Sequence, residues 1–156
     1  YVKESGSMEF KNWMVRHMSE VNSGDSVSES DLKEAKQKID NRFAAVGITE
    51  RFDESLLLMK RLFGWRQVYY QKRNVTKKRP RKEKIDQSTL QTIKSHNHYD
   101  IRLYNYAFEK LKSDLDEVNL GRDLRMLMMK CAAFKAKSIA SNNIRRLIKL
   151  MVKGKK

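Results

Sequence analysis

Between residues 43 and 64 the sequence changes its period within a few positions, and this constrains the fold more than any other feature. Phe43-Ala44-Ala45-Val46-Gly47-Ile48 is a continuous apolar run, and directly after it Phe52, Leu56, Met59 and Phe63 recur at helical spacing. The run has the pattern of a strand buried on both faces of a parallel sheet, and the stripe that of an amphipathic helix. Thr49 stands where a helix N-cap is needed, and Gly64 is a natural C′ residue. Trp65 to Tyr70 reads as another strand. Strand, helix, strand predicts an α/β class, helix-rich with few parallel strands.

The flanking sequence is helical. Phe10, Trp13, Met14, His17, Met18 and Val21 predict a helix over 8–21 with one apolar stripe. The Ser/Gly/Asp-rich stretch 22–30 is a loop, and Ser30 can cap a helix carrying Leu32, Ala35, Lys36 and Ile39 to about residue 41. Ser88 can cap a short helix to about Ser95, and Ile101, Tyr104, Phe108, Leu111 and Leu115 mark a longer one. Gly121 then separates that helix from Leu124, Leu127, Met128, Cys131 and Phe134, and a final helix carries Ile144, Leu147, Ile148 and Met151. The methionines Met126, Met128, Met129 and Met151 fit ordinary core.

Charge divides the chain. Of 156 residues, 34 are Lys or Arg and 19 Asp or Glu, a net charge of +15. Residues 1–71 are balanced, whereas 72–84 hold 8 basic residues against 1 acidic and 121–156 hold 11 against 1. Clustering of this kind gains the fold little unless an anion is bound. In the first patch Arg79 and Arg81 offer planar forks for phosphate or sulfate, and the lysines act as point charges. Thr76 can bond a phosphate oxygen, and Pro80 favours a defined path. The basic tail 121–156 suits a solvated helical face, a sulfated or uronate-bearing glycan, an anionic membrane or nucleic acid.

Several classes are excluded. No apolar run approaches the roughly 20 residues that span a bilayer. The single cysteine, Cys131, rules out an intrachain disulfide framework and a cysteine-only zinc site. No phosphate-binding or nucleophile-elbow motif is present. His17 falls on an apolar stripe, and His96 and His98 in a turn between helices. Glu50, Asp53 and Glu54 crowd the first turn of a helix, where carboxylates meet the helix dipole favourably as well as suiting acid–base work. No catalytic residue and no metal ligand is assigned.

The string Ala45-Val46-Gly47-Ile48-Thr49-Glu50-Arg51-Phe52-Asp53-Glu54-Ser55-Leu56, continuing to Trp65, closely resembles a signature of carbohydrate sulfotransferases. That family includes the galactose 3-O-sulfotransferases and, more distantly, heparan sulfate 2-O-sulfotransferase. Tyr70, Asn74 to Pro80, Asp100 to Tyr104, and Ala107-Phe108 follow in the expected order. The resemblance implies the C-terminal part of a P-loop-like fold over residues 1–120, with 121–156 as a basic helical extension. It implies transfer of a sulfuryl group from 3′-phosphoadenosine 5′-phosphosulfate (PAPS) to a carbohydrate hydroxyl, with no metal. Thr76, Lys78, Arg79, Arg81 and Lys82 then fall in the donor-contact region. The partners expected are a glycan acceptor and the nucleotide sulfate donor, not nucleic acid. The family's donor loop and base lie in an N-terminal half, so activity is expected only with that half. Localisation would be the Golgi membrane for an animal-like member and the cytoplasm for a bacterial one. Two rivals stand beside this reading: a basic nucleic-acid-binding helical domain, and a non-catalytic interaction module with a sulfotransferase-like fold.

Overall fold

The computed structural model describes residues 11–22, 25–72 and 85–153, with side chains as far as 145. Its elements are α1 (Trp13–Ser19), α2 (Glu29–Arg42), a 3-10 turn (Thr49–Arg51), α3 (Phe52–Leu62), α4 (Gln87–His96), α5 (His98–Asp116) and α6 (Gly121–Lys153). Helix α5 is the hub: α1, α2, α3 and α4 all pack on it, and α6 packs on α3. Leu103, Ala107, Leu111 and Leu115 of α5 recur at i, i+4, i+8 and i+12 and meet Val15, Leu32, Ala35, Ile39 and Leu57 in one core.

The helix-rich expectation stands, but no strand forms among the described residues. The backbone at Phe43 and Ile48 is extended (φ −104°, ψ 118° and φ −116°, ψ 130°), so the run 43–48 has strand-like ends without a partner. A strand is held by ladder bonds to a neighbour, and apolar residues alone do not supply one. Side chains take the backbone donors instead. Ile48 N–H donates to Ser55 Oγ (3.0 Å), and Tyr70 N–H donates to Cys131 Sγ (3.4 Å). Of the run only Ile48 is buried, and Phe43 remains 50% exposed.

The stripes shift too. In α1 the buried residues are Val15, Arg16 and Ser19, while Trp13 is 51% exposed. The reason is polar. The Asp100 carboxylate accepts from the N–H groups of Met14 (3.0 Å) and Val15 (2.9 Å), and Asn12 Oδ1 accepts from Tyr99 N–H (2.8 Å) and Asp100 N–H (3.3 Å). Each helix thus caps the N-terminus of the other, which fixes the rotation of α1. Arg16 donates to the carbonyls of Asn22 and Asp25, both at 2.7 Å, and ties the following loop down.

In α3 the buried residues are Ser55 and Leu57; of the predicted stripe Leu56 and Met59 are half-buried and Phe52 and Phe63 are exposed, because the helix is covered on two sides. Segment 43–48 lies over Ser55, and α6 brings Leu127 towards Leu57. Gly64 ends α3 as expected, at φ +64°, with Trp65 N–H bonded to Lys60 O (3.0 Å) and Gly64 N–H to Arg61 O (3.3 Å), a Schellman motif. Ser28, not Ser30, caps α2 in a capping box with Asp31. Asp86 rather than Ser88 caps α4, accepting from Thr89 N–H at 2.8 Å. The two C-terminal segments are one helix, α6. Leu124, Leu127 and Cys131 face the core, whereas Met126, Met128 and Met129 are exposed and are not core residues.

Candidate functional site

The signature string becomes a local machine. Gly47 passes so close to α3 that a Cβ there would lie 3.0 Å from Met59 Cε and 3.2 Å from Ser55 Cβ. Ser55, buried, accepts from Ile48 N–H and donates to Arg51 O (2.8 Å). This lock holds the 3-10 turn at a fixed angle and presents Glu50 to Glu54 along one wall of a cleft of about 640 Å³. The opposite walls are Tyr70 and Lys72 from the segment after α3, and Leu124 and Met128 from α6.

The three carboxylates are not equivalent. Glu54 is held by a two-pronged bond from Arg51 (Nε and Nη2, both 2.6 Å), which lowers its pKa from the ordinary carboxylate value. The Arg51 guanidinium also lies over the Phe108 ring, 6.0 Å from its centre. Asp53 accepts the hydroxyl proton of Tyr70, whose ring meets Phe52 edge-on at 4.8 Å. That bond, followed by burial, pushes the Tyr70 phenol up to about 12. Glu50 is exposed. The cleft therefore offers carboxylate acceptors and a phenol beside the exposed ring of Phe52, with Lys72 at its mouth. Hydroxyls can bond to that wall, and an aromatic ring can cover the apolar face of a sugar.

Lys72 is also where the basic stretch begins. The other residues assigned to it, Thr76, Lys78, Arg79, Arg81 and Lys82, lie outside the described residues. His17, on the predicted apolar stripe, is exposed, with its ring against Trp13 at 3.9 Å. His96 and His98 flank Asn97 in the α4–α5 turn, as expected, and do not approach the cleft residues. Among the described residues, no three His, Cys, Asp or Glu side chains come together as a metal site, and no helix is long and apolar enough to cross a membrane. The Tyr70–Asp53 pair had no sequence signal, because 17 positions separate the partners and no periodicity links them.

A second, apolar groove of about 460 Å³ runs between α1 and segment 43–48, walled by Trp13, Met14, Phe43, Val46 and Tyr104. Trp13, Met14 and His17 of the predicted stripe therefore line a groove, Met18 also packs against the core, and Phe10 lies outside the described residues.

The sequence profile described as galactose-3-O-sulfotransferase matches residues 3–144. The chain belongs to that family of sulfotransferases. No curated protein and no solved structure gives a significant match. The matched span includes the 3-10 turn, α3 and α6 as far as Ile144, and so takes in every residue named in the cleft.

Proposed function

We propose that the chain forms part of a PAPS-dependent carbohydrate sulfotransferase, with the donor on the basic stretch 72–84 and the acceptor sugar in the cleft. The carrying observation is the separation of charge at Lys72. On one side stand Glu50 and Asp53, a wall that repels a phosphosulfate but suits neutral hydroxyls. On the other, the sequence holds 8 basic residues in 13. Thr76, Lys78, Arg79, Arg81 and Lys82 are the proposed donor contacts. Phe52, Asp53 and Tyr70 are the proposed acceptor contacts.

Transfer in this arrangement is in line. The acceptor oxygen attacks sulfur and passes its proton to the base that the resemblance places in the family's N-terminal half, the bond from sulfur to the bridging phosphate oxygen breaks, and adenosine 3′,5′-bisphosphate leaves. Cations of the basic stretch stabilise charge developing on that bridging oxygen. In this reading, residues 1–120 are the C-terminal portion of a P-loop-like domain, in which the run 43–48 takes its ladder partners from a longer protein. Residues 121–156 extend it.

Calorimetry tests both halves. Arg79→Ala or Arg81→Ala removes a charge-assisted bond of roughly 1.5 to 3 kcal/mol, which weakens adenosine bisphosphate binding about 10- to 150-fold and persists at moderate salt. Asp53→Asn should leave nucleotide binding intact and weaken binding of a β-galactoside. If the arginine variants bind nucleotide like wild type, the donor assignment fails. If Asp53→Asn binds the sugar like wild type, the acceptor assignment fails.

A further inference from the structure

Helix α6 is 33 residues long, about 50 Å at 1.5 Å per residue, and only its first turns touch the rest of the described chain. Leu124, Leu127 and Cys131 make that contact with the core, Asp123 pairs with Arg61 at 2.8 Å, and the ring of Phe134 meets that of Tyr69 at 4.8 Å. On the side roughly 140° away, at 100° per residue, lies a second apolar face: Met129, Ala132, Ala136, Ile139 and Ile144. These side chains are open to solvent, with Met129 72%, Ile144 57% and Ile139 49% exposed. From Met126 to Arg145 the face is interrupted only by Asn143. Lys130 and Lys137 run along one edge and Lys135 along the other. Arg122 and Arg125 stand on the same side in the first turns.

We infer that this face of α6 lies in the surface of an anionic lipid bilayer. A helix at a membrane interface buries an apolar arc at the acyl boundary, and the lysines at its edges reach up to the phosphates. Both features are present here, and the segment 121–156 carries 11 basic residues against a single acidic one. The charge argues against a second copy, because pairing two such helices brings like charges together. Nucleic acid would account for the lysines but leave the apolar arc without a role. Since no described helix is long and apolar enough to span, α6 lies on the bilayer rather than through it.

The test is co-sedimentation of the full chain with phosphatidylcholine vesicles, with and without phosphatidylserine. Binding is expected only to the anionic vesicles. Ile139→Asp should weaken it about tenfold or more, and Lys135→Ala roughly fivefold, at the value of one basic side chain near a charged surface. Both positions face solvent, so circular dichroism and the melting temperature should match wild type, and Ile139→Ser is the milder alternative if the aspartate disturbs the helix. Absence of binding to anionic vesicles overturns the inference. Binding indifferent to both Ile139 variants overturns it as well, since charge alone would then hold the chain. A dimer that Ile139→Asp dissolves, without vesicle binding, assigns the face to a second copy instead.

Discussion

Ser55 shows how one small polar residue can set the geometry of a cleft. Its hydroxyl is the partner of the buried Ile48 N–H, and its small volume lets Gly47 pass alongside. Ser55→Ala leaves that N–H without its acceptor, a loss of about 1 to 3 kcal/mol that urea unfolding should register as a lower midpoint at unchanged slope. An unchanged midpoint would mean that the lock is not needed. Tyr70 makes a second residue-scale prediction. Its phenol, normally near 10, is pushed up to about 12, so the folded chain holds the proton more tightly than the unfolded chain. The resulting stability is complete below pH 10 and is lost as the pH rises through about 12. The difference in phenolate absorbance between wild type and Tyr70→Phe should therefore titrate near 12, and a titration near 10 would show that the bond to Asp53 is absent.

At the scale of elements, the reciprocal cap between α1 and α5 matters most, because α1 is only seven residues long and lacks the length to be stable alone. Asp100→Ala removes both acceptors at its N-terminus, at a cost of about 0.5 to 2 kcal/mol. Asn12→Ala opens the other half. Because the two sides share one junction, their effects should be non-additive in a double-mutant cycle, and strict additivity would show that they act separately. Sequence periodicity located most of the helices and the Gly64 terminus well, because those signals are local. It misplaced what depends on distant partners. The α1 stripe was expected inward, but Asp100, 85 residues away from Val15, sets the rotation of that helix. The run 43–48 has strand composition, and composition does not show whether a ladder partner is at hand. In the same way, the signature string was legible as a family pattern, whereas the pairing of Asp53 with Tyr70 appears only once α3 and the following segment have folded back together.

For the whole molecule, the separation of a balanced body from a basic helix carries a further consequence. The core gathers around α5, where Leu103 and Leu111 are almost completely buried, so amides there should exchange only through global unfolding. The stretch 135–145 of α6 has no buried residue, and a helix without tertiary packing is marginal in water. Its amides should therefore exchange at least about a hundredfold faster than those of Leu103 to Leu115. Anionic vesicles should narrow that gap by slowing exchange in 135–145 while leaving α5 unchanged, because the bilayer would supply the packing that the body does not. Neutral vesicles should leave the gap as it is. Equal protection of both stretches in free solution would mean that α6 is already held along its length, and would contradict both the exposure of Ile139 and the role assigned to it.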